Sequence, residues 1–379
     1  CSKYTIKMSI DLYNLTPLLK LICLAIVLAS GPLAWWWVKS KDSQITSRYY
    51  RLTAVTLFLC FDLIVFGAFT RLTDSGLGCP DWPGCYGHAS PIGALEAIKQ
   101  AEAEMPTGPV TLSKAWIEMI HRYLAMLVGA LILVLTGLAW KERTKLVISP
   151  WWPTLTLLAV CLQGAFGAFT VTWKLYPFIV TLHLITALIL LILLSLQHQL
   201  ANPSHSIEIE KVKWRPFLVY FSFLALLIQI ALGAWVSTNY AVLACNTFPL
   251  CHGSLWPEMD WRNGFSLFRD LGKTASGELL SFQALVAIHY AHRLMAYFLI
   301  ALFIYLIIHL KKIQQTHHAT WLAIVVSLQF LTGLSNVILD WPLLAALLHT
   351  AGAAGLVFIM SRVCFSHWQQ NPQFQSKFL

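Results

Sequence analysis

Nine stretches of the chain stay apolar for about the length that a bilayer demands: near 14–37, 50–70, 117–140, 154–172, 177–200, 215–237, 287–309, 319–338 and 343–363. A spanning helix needs about 20 mostly apolar residues, so each stretch predicts one crossing. Short basic segments alternate with longer, less basic ones. Lys39, Lys41, Arg48 and Arg51, then Lys141, Arg143 and Lys145, then Lys211, Lys213 and Arg215, then Lys311 and Lys312 mark four connections, which the positive-inside rule assigns to the cytoplasm. The long loops near 71–116 and 238–286 then lie outside with the N-terminus, and the C-terminus lies inside. Lys3 and Lys7 pull against that placement of the N-terminus. Cys1 to Leu15 lack the succession of basic, apolar and small residues found in a cleaved leader, so the first run is read as a retained helix.

Composition agrees with that reading. The 379 residues are 58% hydrophobic and 11% charged, where soluble domains carry roughly 25% charged residues. The net charge of +9 comes from clusters between apolar runs, so it reads as a topology signal and not as a nucleic-acid surface. Many tryptophans (Trp35, Trp36, Trp37, Trp116, Trp140, Trp151, Trp152, Trp173) sit near run ends, as in an interfacial belt.

The apolar pattern contains a repeat. Gly67-Ala68-Phe69 through Cys79, Pro83, Cys85 and Gly87 matches Gly233-Ala234-Trp235 through Cys245, Pro249, Cys251 and Gly253, a constant offset of 166. Leu162-Gln163, Gly167, Val171 and His183 match Leu328-Gln329, Gly333, Val337 and His349 at the same offset, while His121-Arg122 matches His292-Arg293 at 171. Helices two to five therefore repeat as six to nine. With an even number of crossings, the halves run in the same sense about an axis near the membrane normal. The expected fold is an all-α integral membrane protein of about nine transmembrane helices, two pseudo-symmetric four-helix bundles and an extra N-terminal helix. Its segments are 1–49 (extra helix and cytoplasmic linker), 50–200 (first half), 201–214 (linker), 215–365 (second half) and 366–379 (cytoplasmic tail).

His121, His183, His292 and His349 each fall a few residues inside the outer end of a predicted span, at similar depth. Ionisable residues within a membrane span point to function, and side chains projecting inward from facing helices build cofactor sites in bundles. Two histidines per half could clamp one haem iron. The plainer reading is four histidines hydrogen-bonded across helices. Zinc or copper fits less well, because no nearby cysteine or carboxylate completes a tetrahedron. Arg122 and Arg293, beside two of these histidines, could pair with haem propionates or snorkel to headgroups. Glu118 lies one turn before His121, whereas the matching position before His292 is His289. Only the first pair thus has a carboxylate beside it, which suggests one reacting site and one permanent cofactor; the plainer reading makes Glu118 a partner for Arg122. Cys79 and Cys85, like Cys245 and Cys251, lie six apart in loops assigned to the oxidising side. They read as two local disulfides, with a reversible thiol pair as the alternative.

Several of these segments resemble haem A synthase of the cysteine-containing bacterial type. They are Thr70-Arg71-Leu72-Thr73-Asp74-Ser75-Gly76-Leu77-Gly78-Cys79-Pro80-Asp81-Trp82-Pro83, Glu118-x-x-His121-Arg122, Gln163 through Val171 to His183, and Asn239-Tyr240-Ala241 before the second cysteine pair. The resemblance covers about residues 50–365. It implies oxidation of the C8 methyl of haem O to the formyl group of haem A, for haem-copper terminal oxidases. It further implies that His121 and His183 flank the substrate haem, that His292 and His349 ligate a resident haem b, and that Glu118 is the catalytic carboxylate. The implied partners are haem O, a haem O synthase and an electron acceptor in the membrane, with room for a homo-oligomer, in a bacterial cytoplasmic membrane with the cysteine loops on the outer side. A di-haem b electron-transfer cytochrome is the competing reading; it needs the four histidines but gives Glu118 no task.

Overall fold

The computed structural model of the protein describes residues 16–202 and 214–369. Cys1 to Leu15, Lys211, Lys213 and the last ten residues lie outside the described residues. Among the described residues the chain is entirely helical, apart from isolated bridges in loops. Its helices are α1 (Thr16–Ser40), α2 (Ile45–Leu72), α3 (Leu95–Glu104), α4 (Leu112–Lys141), α5 (Trp151–Thr172), α6 (Pro177–Leu200), α7 (Pro216–Thr238), α8 (Trp261–Gly264), α9 (Phe282–Lys312), α10 (Thr316–Ile338) and α11 (Leu343–Gln369). All but α3 and α8 are long and apolar enough to cross a bilayer, which makes nine spans among the described residues.

Besides α2, which starts at Ile45 in place of 50, and α5 and α10, which start three residues early, two spans begin five residues earlier than hydropathy predicts, at Leu112 in place of 117 and at Phe282 in place of 287. Thr111 and Ser281 explain both starts, because their hydroxyls accept from the backbone N–H of Lys114 and Ala284 and cap the helices. The segment limits expected at 49/50 and 365/366 fall inside α2 and α11. There the polar residues at those helix ends continue the helix instead of breaking it.

The main core joins α1, α2, α4, α6, α7, α9 and α11 through residues such as Leu52, Leu131, Leu191, Leu306 and Val357, all at most 1% exposed. Large apolar residues such as Leu158, Leu162, Leu224 and Ile228 face outward, which is normal where lipid is the solvent. A smaller cluster caps each half. Cys79 and Cys85 pack with Ile98, Ala115 and Met119, and Cys245 and Cys251 pack with Trp235, Val286 and Ile288. Leu21, near the start of α1, joins the first cap, so α1 begins on the side of the cysteine loops. At its other end the Trp36 indole donates to the Arg48 carbonyl at 2.7 Å, tying α1 to the start of α2.

The repeat is visible in the backbone. Asp74, Tyr86, Lys174 and Leu175 have positive φ, and so do Tyr240, His252, Asp340 and Trp341, each 166 residues later. Where the two sets of helices meet, repeat counterparts touch one another. Arg71 donates to the Ser237 carbonyl at 2.7 Å, Tyr240 donates its phenol to Asp74 at 2.7 Å, and the Ser195 and Ser361 hydroxyls stand 2.8 Å apart. Repeat-equivalent residues come together only near a two-fold axis, so these contacts mark one running from the cysteine-loop end of the helices to the opposite end. The Arg71 guanidinium also covers the Tyr240 ring at 4.2 Å. Burial pushes the Tyr240 phenol above its ordinary value, which keeps it a donor to Asp74.

Candidate functional site

Each of the four histidines rests on a glycine of the neighbouring helix. A Cβ built on Gly67 of α2 would stand 3.0 Å from His121 Nε2 of α4, and one on Gly167 of α5 would stand 3.3 Å from His183 Cε1 of α6. In the second set, a Cβ on Gly233 of α7 would meet His292 Cε1 of α9 at 2.9 Å, and one on Gly333 of α10 would meet His349 Cε1 of α11 at 3.1 Å. The imidazoles therefore fill space that any larger residue would take, which fixes where each ring lies between two helices. All four are half-buried. His183 and His292 each keep a buried Nδ1 with no hydrogen-bond partner. A buried ring nitrogen without a partner is costly unless something binds it. Imidazole lone pairs held in apolar bundles are the donor set haem iron takes, so these residues fit that group. Among the described residues no cluster of three or more His, Cys, Asp or Glu could hold a bare ion.

Further bonds hold the histidines from their backbone side. Gln163 donates to the His183 carbonyl at 3.0 Å, Gln229 to that of His292 at 3.2 Å, and Gln329 to that of His349 at 2.7 Å. The Thr332 hydroxyl lies 3.0 Å from His349 Nδ1. Gln229 was not singled out in the sequence. A signal was there, because Gln229-x-x-x-Gly233 has the spacing of Gln163-x-x-x-Gly167 and Gln329-x-x-x-Gly333.

Above the first histidine pair, Glu118 is 4% exposed and makes two strong bonds. One carboxylate oxygen accepts from Arg122 at 2.6 Å, and the other accepts from the Cys79 backbone N–H at 2.7 Å. Arg122 also donates to the carbonyls of Asp81 at 2.9 Å, Pro83 at 3.2 Å and Gly84. Asp81 accepts in turn from the N–H groups of Tyr86 at 2.5 Å and Gly87 at 2.7 Å. The loop closed by the Cys79–Cys85 disulfide (S–S 2.07 Å) is thereby fastened to α4.

The second cap uses the same plan without a carboxylate. Arg293 donates through Nε to His289 at 3.2 Å, and to the carbonyls of Thr247 at 2.8 Å, Leu250 at 3.4 Å and Cys245. The other ring nitrogen of His289 lies 3.0 Å from the Ala241 carbonyl, and the Cys245–Cys251 disulfide closes the loop. Glu118–Arg122 is thus matched by His289–Arg293, each one turn apart. Both arginines, read from the sequence as pairing with propionates or snorkelling to headgroups, donate to loop carbonyls, Arg122 through Nη1 while its Nη2 holds Glu118, and Arg293 through both terminal nitrogens. The sequence places Glu118 beside Arg122, but it gives no sign of the Cys79 N–H, which only the loop's fold brings there.

Residues 50–361 match the model of a family described as COX15-CtaA, cytochrome oxidase assembly protein. Among curated proteins, the chain is 34% identical to a heme A synthase of Shewanella oneidensis over 84% of this chain and 97% of that protein. It is 28% identical to one of Bartonella quintana over 88% of this chain and 94% of that protein. With one of Alkalihalophilus pseudofirmus it shares 26% identity over 76% of this chain and 86% of that protein.

Proposed function

The chain belongs to the COX15-CtaA family of cytochrome oxidase assembly proteins, and on that premise we propose how its two histidine pairs divide one reaction. The protein is a multi-pass membrane oxidoreductase with the activity of a haem A synthase, an oxidase acting on haem O. Turning the C8 methyl into a formyl group takes two successive hydroxylations, each of which, with electrons passing to an acceptor, takes its oxygen from water and releases two electrons and two protons, followed by loss of water from the gem-diol.

In our reading His121 and His183, on α4 and α6, flank the substrate haem O, and His292 and His349, on α9 and α11, hold a resident haem b. When bound, haem b supplies a one-electron carrier close to the reacting site. Glu118 supplies the acid–base group at the first pair, where it can take up a proton as the methyl carbon loses hydrogen. Arg122 and Arg293 would share their guanidinium groups between the loop carbonyls and a haem propionate. The cysteine loops face the outer side of a bacterial cytoplasmic membrane. A haem O synthase delivers the substrate, a membrane electron acceptor takes the electrons, and self-association is compatible with the exposed helix faces.

One observation carries this division: four histidines seated alike on four glycines, with a carboxylate at the first pair and His289 in its place at the second. Replacing His292 or His349 with Ala should remove most haem b from the purified protein, read as loss of the Soret band and of extractable haem b. Unchanged haem content in both variants would refute the assignment.

A further inference from the structure

Three of the four histidines face the same unit on the neighbouring helix: a glutamine, three residues, then a glycine. Gln163 and Gly167 on α5 serve His183, Gln229 and Gly233 on α7 serve His292, and Gln329 and Gly333 on α10 serve His349. One turn separates the two residues, so they share a helix face. The glycine admits the imidazole, and the glutamine Nε2 donates to the carbonyl of that same histidine. For His183 and His292 the amide also stands 3.5 and 3.4 Å from ring Nε2. Thr186 donates to Gln163 Oε1, which turns the amide nitrogen towards His183. Water is scarce at this depth, so a donor and acceptor parted here find no substitute partner. The glutamine therefore resists any movement of the histidine's helix away from its neighbour.

The fourth place departs from the pattern. Gly67 on α2 still abuts His121, but the residue one turn before it is Leu63, whose side chain has nothing to donate. Leu63 is the repeat counterpart of Gln229. The helix pair that carries His121 is thus joined at this level by packing alone, and the other three pairs by packing and a hydrogen bond.

We propose that the Gln-x-x-x-Gly unit clamps a haem-ligating histidine, and that its loss at Leu63 makes His121 the exchangeable ligand of the molecule. This rests on the haem assignment above and adds a reason for its asymmetry. A site that takes in haem O and gives out haem A on every turnover needs one ligand that lets go. A resident haem b needs two that do not. His183 is then the fixed ligand of the substrate site and His121 the releasing one.

The test compares the purified full-length protein with the Gln229→Leu, Gln329→Leu and Leu63→Gln variants. Haem loss to an excess of apomyoglobin is followed by absorbance, and the retained pigments are identified after extraction. Gln229→Leu and Gln329→Leu should each speed loss of haem b by about fivefold, the factor expected for one neutral hydrogen bond. Leu63→Gln should slow loss of haem O and haem A by a similar factor and leave more of both in the purified protein. Two variants on the second pair and one on the first keep the comparison open if one fails to fold. Unaltered loss rates in folded variants of a wild type that binds both haems would overturn the clamp. A wild type that binds no haem would instead overturn the assignment on which it rests.

Discussion

Glu118 has two demands on one carboxylate: it anchors Arg122 and the Cys79 N–H, and it stands one helical turn before His121 of the first histidine pair. Parting a buried ion pair of this kind costs about 3–5 kcal/mol when one charge is left unpaired. Glu118→Gln keeps the size but can no longer take a proton, and its amide cannot accept from both donors through two charged oxygens. We expect the variant to retain haem b, to take up haem O, and to accumulate haem O or its alcohol in place of haem A, measured by pigment extraction. Normal haem A formation would make Glu118 an anchor only. Measuring thermal stability alongside separates the two roles, since loss of the anchor lowers the midpoint and loss of proton transfer does not. The residue was legible in the sequence because it breaks the repeat. Its bond to Cys79 was not, because the partners lie 39 positions apart, across a loop that carries α3.

At the level of elements, hydropathy located every span, since lipid imposes one length on all of them. It missed the ends, which Thr111 and Ser281 set by hydrogen bonding, and it missed α3 and α8, which lie in loops where no such length applies. The fit between loop and helix is also invisible in sequence, and Gly78 tests it. A Cβ there would come within 2.4 Å of the Lys114 carbonyl carbon and 2.6 Å of the Ala115 nitrogen, both backbone atoms that cannot swing aside. Gly78→Ala should therefore lift the cysteine loop from α4 and destabilise the protein by about 1–3 kcal/mol, as overpacking does. Gly129→Ala, with nothing within 4 Å of the new carbon, should be neutral or stabilise by up to about 1 kcal/mol through helix propensity. Thermal unfolding in detergent checks both, and equal midpoints for the two variants would count against a tight seat for the loop.

For the whole molecule, the four-histidine plan and the offset of 166 were readable because a repeated helix repeats its apolar face. The axis contacts were not, since Arg71–Ser237 and Asp74–Tyr240 pair unlike residues whose link is their equivalent place. The basic connections predict an orientation with the cysteine loops outside. A Glu104→Cys variant should react with a membrane-impermeant maleimide in intact cells, and Lys145→Cys only after permeabilisation; the reverse pattern would invert the topology. The axis has one more consequence. Were the halves separate, identical chains meeting on a true two-fold, each residue would occur at both sites, so an acid useful to one haem would stand beside the other as well. Joining them in one chain removes that obligation. Glu118 can stand where the other half has His289, and Leu63 where it has Gln229, because a change in one half no longer copies itself into its mate. On the proposed division of the two histidine pairs, the covalent link between α6 and α7 is what would let a symmetric scaffold hold one haem as a tool and treat another as material.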